Sequence, residues 1–404
     1  MTQGIMAGMT ADRSRAAAVI PAAALVLAAL CLRGPFSAVG PVIDGLGSEL
    51  SLSTAALSVV TSLPLVFFGL VSPVAPVIAA RLGVHRAIVV GIAVLALGIA
   101  LRHAGTVGLF AGTAMLAGGI AIANVLLPAA ARAEYGERSP VVVGMVVASM
   151  GLSATLGAGL AQPLALLGGS ARVGLLMWIV LVLIALAAVA LLARARRTVS
   201  PPVSAPISSR TAILRDPVAL AVTLFFGLQS LTFYAMLTWL PAVLESEAGI
   251  SPVAAGGLLA LATVLAVPAA IVVPPLATRR PSQTGWTMAA SALIAVAIAG
   301  LLVAPAAAPA LWSVLYGLGT GVSFPLAMTL VLVRTRDVGQ TGRLSAGAQS
   351  IGYLVAATGP LVVGLLHELT GGWTAGLLVL LALAFVQFVA GLAAGRPRLV
   401  AAGA

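Results

Sequence analysis

The polar segment RARRTVSPPVSAPISSRTAILRD, residues 194–216, divides the chain into two parts. It is the one long stretch that is rich in Arg, Pro and Ser, and the sequence on either side of it carries few charges. Clusters of Pro and Ser are typical of loops between structured units. The segment therefore predicts a linker between two units, residues 1–193 and residues 217–404.

The composition on both sides of this linker is that of a membrane protein. Of the 404 residues, 61% are hydrophobic and 8% are charged, whereas an ordinary soluble domain carries about 25% charged residues. A helix that spans a bilayer needs about 20 largely apolar residues. Long uncharged runs occupy residues 16–32, 50–80, 87–101, 104–131, 139–171, 173–193, 217–244, 248–278, 281–333, 344–367 and 369–395.

Two of these runs need further interpretation. The run 281–333 has 53 residues and is interrupted by a Pro/Ala segment at 304–309, so it predicts two spans joined by a turn. The run 87–101 is short, and we expect its helix to extend through Val84 and past Arg102. The sequence thus predicts an all-α, polytopic membrane protein of twelve helices, six on each side of the linker.

The arginines predict how these helices are oriented. All 21 basic residues are Arg, and the formal net charge is +11. If the amino terminus is cytoplasmic, 18 of the 21 fall on the inner side, and only Arg33, Arg102 and Arg172 do not. The positive-inside rule therefore favours two cytoplasmic termini. Because the inner segments are short and scattered, their charge predicts contact with anionic lipid and no nucleic-acid partner.

Missing residue types exclude several classes of chemistry. Without Lys, the chain has neither a Walker A loop nor a lysine that forms a Schiff base. The single cysteine, Cys31, excludes an internal disulfide, and the three histidines are scattered along the sequence. No arrangement of nucleophile, base or metal ligands is visible. We therefore expect no enzymatic activity, no cofactor and no metal.

The two predicted halves resemble each other in the order of their features. A shift of about 200 residues superimposes Pro76 and Arg81 on Pro275 and Arg280, and Arg132 and Gly157 on Arg334 and Gly359. Repeats of this kind are typical of transporters whose halves enclose a central cavity. The matches predict a pseudo-two-fold pair of six-helix bundles that works by alternating access.

Several motifs carry a resemblance to a known family. Residues 80–86, ARLGVHR, resemble the D-R-x-G-R-R loop of the major facilitator superfamily, although Ala80 replaces the acid. Further motifs are LR at 32–33 with VGP at 39–41, GIALR at 98–102, GLGTGVSFPL at 317–326, QSIGY at 349–353, GP at 359–360 and LHELTG at 366–371. Together, from about Leu30 to Gly391, they resemble the cyanate permease and 2-nitroimidazole transporter family.

This resemblance implies a major facilitator fold and a secondary transporter for a small anionic or polar solute, such as a cyanate-like anion or a nitroimidazole-like compound. The protein would lie in the cell (inner) membrane as a multi-pass chain. The family's charged positions correspond to Arg33 in helix 1 and Arg102 in helix 3. The family usually has Asn two residues before the first of these, where this chain has Cys31.

Arg33 is the strongest candidate for contact with the solute. It lies 17 residues beyond the start of the first run, which is roughly 25 Å along a helix and inside the bilayer. A charge at this depth is costly and usually faces a polar cavity. The planar guanidinium suits bidentate contact with an anion. The alternative is an arginine that reaches the interface and pairs with Asp44 or Glu49.

Other polar and aromatic side chains complete the predicted site. The resembled superfamily lines its cavity with helices 1, 4, 7 and 10, beside helices 2, 5, 8 and 11. The predicted solute-binding residues are Arg33, Asn124, Gln229, Phe233, Tyr234, Phe324, Gln349 and Tyr353. Contact between helices is an equally good interpretation of the amides. A structural or gating role is predicted for Arg81, Arg86, Arg102 and His103.

The coupling of transport is the remaining question. No Asp or Glu lies in the middle of a predicted span, so the usual proton carrier is missing. A potential of 100 mV is worth about 2.3 kcal/mol per charge and drives anions out of a negative interior. We therefore expect uniport, exchange or export by a monomer, with His103, His367 and Glu368 as candidate proton sites. The alternative function is a proton-coupled multidrug exporter, which typically has an acid in its cavity.

Overall fold

The computed structural model describes residues 2–52, 54–196 and 215–401, and this part of the chain is helical with short connections. Twelve long helices follow one another along it. They are α1 Thr2–Ser37, α2 Thr54–Val71, α3 Val84–Leu101, α4 Gly105–Tyr135, α5 Ser139–Gly168, α6 Trp178–Ala195, α7 Pro217–Ala248, α8 Pro252–Ala277, α9 Thr284–Val303, α10 Pro309–Val333, α11 Val338–Thr370 and α12 Thr374–Ala394. Short helices lie between them at Ile43–Leu50, Ala75–Leu82 and Ala171–Leu176.

The helices are long and apolar enough to cross a membrane. The described residues contain 11 such segments, and the longest, Gly105–Gly168, has 64 residues. That segment contains both α4 and α5, which are joined by the 3-10 turn Gly136–Arg138. Division at this turn gives the twelve crossings that the sequence predicts. The predicted turn at 304–309 is also confirmed, because α9 ends at Val303 and α10 begins at Pro309.

The helices pack in two sets that have the same pairings. In the first set, α1 packs on α5 and α6, α2 on α4, and α3 on α4 and α6; in the second, α7 packs on α11 and α12, α8 on α10, and α9 on α10 and α12. The sets meet where α5 packs on α8 and α2 packs on α11. The predicted unit boundaries at 1–193, 194–216 and 217–404 stay predictions, and residues 197–214 of the linker lie outside the described residues.

Glycines let neighbouring helices approach closely. On the α3–α4 contact, a Cβ atom at Gly98 would lie 2.4 Å from the backbone nitrogen of Leu116, and one at Gly119 would lie 2.5 Å from the carbonyl oxygen of Gly91. Lipid offers no hydrophobic drive for helix association, so close backbone packing supplies much of the attraction.

The same device recurs where α1 crosses α5 and where α7 crosses α11. A Cβ atom at Gly157 would lie 2.4 Å from the carbonyl oxygen of Gly34, and one at Gly359 would lie 2.7 Å from the carbonyl oxygen of Leu231. Gly157 and Gly359 are superimposed by the shift between the two halves of the sequence. The sequence match therefore corresponds to the same close crossing in each set of helices.

Polar contacts join the two sets at one end of the bundle, which we call the arginine-rich end and define by Arg132, Arg334 and Arg336. Arg132, near the end of α4, donates hydrogen bonds to the carbonyl oxygens of Leu332 and Arg336 and to the Thr335 hydroxyl. Leu332 lies in the last turn of α10, so the guanidinium supplies a further donor to a carbonyl at the end of that helix. The contact closes this end.

We predict that Gly98→Val destabilises the protein by about 1–3 kcal/mol, because the added side chain forces α3 and α4 apart. The measurement is the thermal melting of the purified protein. Gly159→Val is the matched control, because a Cβ atom at Gly159, on an exposed part of α5, meets nothing within 4 Å. Equal melting temperatures for the two variants would show that the α3–α4 contact tolerates the added bulk.

We predict that Arg132→Ala loosens the arginine-rich end, because it removes the hydrogen bonds from α4 to the end of α10 and to the residues that follow it. Hydrogen bonds from a charged group contribute about 1.5–3 kcal/mol each, so the closed arrangement should lose at least about tenfold in population. The measurement is the rate at which a maleimide labels Met328→Cys, which replaces a buried side chain of α10, in a Cys31→Ser background. Arg138→Ala, an exposed arginine at the same end, should leave the rate unchanged.

Candidate solute-binding site

A cavity of about 740 Å³ lies between the two sets of helices. Residues of α1, α2, α5, α7, α8 and α10 line it. It extends to exposed residues near the start of α8, such as Gly256, at the end opposite the arginine-rich end, which we call the open end. Of the described residues that line the cavity, Arg33 alone is charged.

Packing on one side of α1 directs Arg33 toward this cavity. The next residue, Gly34, donates its backbone N–H to the Ser153 hydroxyl of α5 at 2.7 Å. A Cβ atom at Gly34 would lie 2.2 Å from the ring of Trp178, so α6 also touches α1 at this point. Because these contacts occupy one face of α1, the Arg33 side chain lies on the face that lines the cavity.

Arg102 supports the same part of α1 from the end of α3. Its Nη1 donates to the Pro35 carbonyl oxygen at 2.8 Å, and its Nε donates to the Thr113 hydroxyl at 3.0 Å. The side chain is 2% exposed. The expectation that α3 continues past Arg102 is wrong, because α3 ends at Leu101 and the chain turns into α4, which begins at Gly105 with a positive φ of 73°. The structural role predicted for Arg102 matches these contacts.

Arg33 contacts neutral groups of the other set of helices. Its Nη1 donates to the Tyr234 hydroxyl of α7 at 3.1 Å, and its guanidinium carbon lies 5.3 Å from the centre of the Phe324 ring of α10. Cation–π contact of this kind is favourable by about 0.5–2 kcal/mol. Arg33 therefore bridges the two sets, and none of the partners that the structure describes for it carries a charge.

Glu49 is engaged elsewhere, so the alternative in which it pairs with Arg33 is wrong. Its carboxylate accepts hydrogen bonds from the Ala171 N–H and the Ser170 hydroxyl and pairs with Arg172 at 3.2 Å. Desolvation acts to raise the pKa of the Glu49 carboxyl, but these partners outweigh it and hold that pKa below its usual range. Of Asp44 the structure describes only the backbone.

The predicted solute-binding residues separate into two groups. Arg33, Gln229, Phe233, Tyr234 and Phe324 line the cavity, whereas Asn124, Gln349 and Tyr353 do not. The amide nitrogen of Asn124 donates to Gln349 at 2.6 Å and to the Tyr353 hydroxyl at 3.1 Å, and all three side chains are buried. The second group therefore joins α4 to α11, which was the alternative interpretation of the amides.

The other predicted positions lie outside the cavity. Arg81 and Arg86 are exposed at the arginine-rich end, and His103 is exposed with its carbonyl oxygen accepting a bond from Arg172 at 3.2 Å. Cys31 is buried and donates its thiol to the Leu27 carbonyl oxygen at 3.3 Å. The departure from the family pattern at Cys31 thus does not alter the lining of the cavity.

Sequence reasoning missed one charged cluster and several lining residues. His85 and Arg196 both pair with Glu134, at 3.0 Å and 2.9 Å, and the His85 and Glu134 side chains are each 7% exposed. No spacing in the sequence brings these three together. The lining residues Phe36, Ser230 and Tyr316 were also missed, because nothing in an apolar span marks the face that a cavity uses. Among the described residues, no three His, Cys, Asp or Glu side chains could hold a metal ion.

Comparison with known proteins supports a transporter. The sequence matches the Major Facilitator Superfamily over residues 25–357. It is 36% identical over 379 residues to the uncharacterized transporter YycB of Bacillus subtilis (strain 168), covering 93% of each chain. It is 34% identical over 381 residues to the 2-nitroimidazole transporter of Escherichia coli (strain K12), covering 94% of this chain and 96% of the relative. It is 27% identical over 356 residues to the cyanate transport protein CynX of the same organism, covering 86% of this chain and 90% of the relative.

A solved structure supports the same fold. The proton:xylose symporter XylE bound to 6-bromo-6-deoxy-D-glucose superimposes with a TM-score of 0.76, covering 93% of this chain and 95% of that one at 10% identity. At this identity the likeness concerns the fold alone. The resemblance to the cyanate and 2-nitroimidazole transporters that the motifs predict is confirmed. The chain is a multi-pass membrane transporter, not an enzyme, and belongs to the Major Facilitator Superfamily.

Proposed function

We propose that this transporter moves a small anionic or polar solute, of the cyanate or nitroimidazole kind, through the cavity by alternating access. The observation that carries the proposal is the environment of Arg33, the one charged side chain among the described lining residues. Its described partners are the neutral Tyr234 and Phe324. A guanidinium with neutral partners attracts an anion or the negative end of a dipole.

The charge of the cavity decides between an anion and a cation. At a separation of roughly 5 Å and an effective dielectric constant of about 20, two unit charges interact with about 3 kcal/mol. An anion beside Arg33 gains this energy and a cation loses it, which is a difference of several orders of magnitude in affinity. The alternative, a proton-coupled exporter of cationic drugs, needs an acid in the cavity, and no described lining residue is an acid.

The transport cycle follows from the contacts between the two sets of helices. We propose that the arginine-rich end faces the cytoplasm, as the positive-inside rule predicts, so that the cavity opens to the exterior. Tyr234 and Phe324 hold Arg33 from the second set of helices. A solute that binds Arg33 competes with these contacts and so weakens one link between the sets.

Coupling is proposed to be uniport, exchange or export by a monomer. Glu134 is the one acid that the structure adds to the candidates, and it pairs with His85 and Arg196 at the end of α4, away from the cavity. His103, His367 and Glu368 also lie outside the described lining. The lining that the structure describes thus contains no carboxylate to carry a proton together with the solute.

We predict that Arg33→Gln lowers the flux of cyanate and of a 2-nitroimidazole at least about tenfold, because it removes a charge-assisted hydrogen-bond donor. The measurement is tracer flux in proteoliposomes under an imposed membrane potential, with cyanate flux following the potential. Arg138→Gln, a change at an exposed arginine outside the cavity, is the matched control and should retain wild-type flux. A lipophilic cation serves as the third substrate.

Transport of the cation by both the wild type and Arg33→Gln, without anion flux in either, would replace the proposal by the drug-exporter alternative. Equal anion flux in the wild type and Arg33→Gln would show that Arg33 is structural. Loss of anion flux when a protonophore is added, with exchange unchanged, would contradict the uncoupled mechanism.

A further inference from the structure

Aromatic side chains surround Arg33 within the cavity. Phe36 of α1, Phe233 and Tyr234 of α7, and Phe324 of α10 all line it. Phe36, Phe233 and Phe324 are each half-buried, so part of each ring remains accessible to a molecule in the cavity. Phe233 and Tyr234 meet edge to face with ring centres 5.2 Å apart. The charged group of the site is thus set among rings from three helices.

The guanidinium of Arg33 has unused capacity. Its Nη1 donates to Tyr234, whereas among the described residues no hydrogen bond involves its Nε or Nη2. A planar guanidinium presents its donors in pairs, and a group with two oxygen atoms in one plane accepts from such a pair. A carboxylate matches this geometry and supplies the opposite charge.

A second unused group lies on α7. The amide nitrogen of Gln229 donates to the Phe226 carbonyl oxygen at 3.0 Å and to the Ser230 hydroxyl at 2.6 Å. Because the Phe226 carbonyl can only accept, this contact identifies the nitrogen of the amide. Within the described residues the carbonyl oxygen of Gln229 accepts no hydrogen bond, and Gln229 lines the cavity. It can accept a hydrogen bond from an O–H or N–H of the solute.

The volume of the cavity argues for a solute larger than cyanate. At about 740 Å³, it lies within the range of sites that bury drug-sized ligands. A linear anion of three atoms reaches Arg33 but leaves the accessible parts of the Phe233 and Phe324 rings uncovered. An aromatic ring placed beside the guanidinium can pack against both.

We propose that the solute of this transporter is an aromatic monocarboxylate with a hydroxyl or N–H group on its ring. The carboxylate binds Arg33, the ring packs against Phe233 and Phe324, and the donor group reaches the carbonyl oxygen of Gln229. The inference rests on the proposed function and narrows its substrate class. A nitroarene of the same shape has two coplanar oxygens but no net charge, so it binds more weakly.

A series of four compounds tests each part of this inference on the purified wild-type protein, by calorimetric titration at neutral pH. The compounds are 3-hydroxybenzoate, cyclohexanecarboxylate, which has the charge without the aromatic ring, 3-nitrophenol, which has the ring without the charge, and cyanate. We expect 3-hydroxybenzoate to bind about tenfold more tightly than each of the others, because ring packing and the carboxylate charge each contribute at least this factor. Equal or tighter binding of cyclohexanecarboxylate or cyanate overturns the inference.

Three variants identify the residues responsible. Phe324→Leu should abolish the preference for 3-hydroxybenzoate over cyclohexanecarboxylate, whereas Phe385→Leu, the same change at an exposed position of α12, should keep it. Gln229→Leu should bring the affinity for 3-hydroxybenzoate down to that for benzoate and leave benzoate binding unchanged. If Phe324→Leu and Gln229→Leu both kept the binding preferences of the wild type, the assigned contacts would be overturned. Thermal melting verifies that each variant is folded.

Arg33→Gln separates this inference from the proposed function. In one outcome, Arg33→Gln abolishes the binding of every anion, but cyanate or cyclohexanecarboxylate binds the wild type as tightly as 3-hydroxybenzoate does. The proposed aromatic substrate class is then wrong, whereas the proposed anion transporter stands. If Arg33→Gln leaves the affinity for every anion unchanged, the proposed function and the proposed substrate class both fail. Loss of 3-hydroxybenzoate binding together with the expected order in the wild type supports both.

Discussion

Inside a bilayer, a backbone N–H or C=O group without an internal partner costs several kcal/mol, and this constraint underlies the whole structure. It makes every span a helix, and it leaves the helices to attract one another without a hydrophobic drive. In this chain the close contacts come from glycine, at Gly98 and Gly119 between α3 and α4 and at Gly157 and Gly359 where α1 and α7 cross their partners. Two compact sets of helices result, and the cavity lies between them.

Besides the packing of α5 on α8 and of α2 on α11, polar contacts join the two sets, and these are unevenly distributed. Arg132 binds the end of α10 at the arginine-rich end, and Asn124 binds Gln349 and Tyr353 between that end and the cavity. Asn124, Gln349 and Tyr353 are buried, so leaving them unpaired would be costly, and their pairing favours the closed arrangement at this end. Toward the open end the same two sets enclose the cavity. The same chain thus combines a closed end with an accessible site, which is the arrangement that the proposed alternating access requires.

Arg33, near the end of α1, and Arg102, which contacts the same part of α1 from the end of α3, show how the surroundings of an arginine determine its role. Arg102 is 2% exposed and binds the Pro35 carbonyl and the Thr113 hydroxyl, so it holds α1 in place. Arg33, two residues before Pro35, has one hydrogen bond to Tyr234 and lies over the ring of Phe324. Both carry the same charge, but only Arg33 lines the cavity. Charge alone therefore does not distinguish Arg102, which supports α1, from Arg33, the candidate for contact with the solute.

The sequence by itself determined the all-helical fold, the number of spans and the family, because a bilayer excludes charge and the uncharged runs and motifs can be read directly. It also made Arg33 the strongest candidate for contact with the solute, because a charge so deep in a span is rare. Only the tertiary structure decided that Asn124, Gln349 and Tyr353 join helices, that Phe36 lines the cavity, and that His85 meets Glu134. The physical reason is that these spans are apolar on all sides, so no periodicity marks the face that each helix turns toward the cavity.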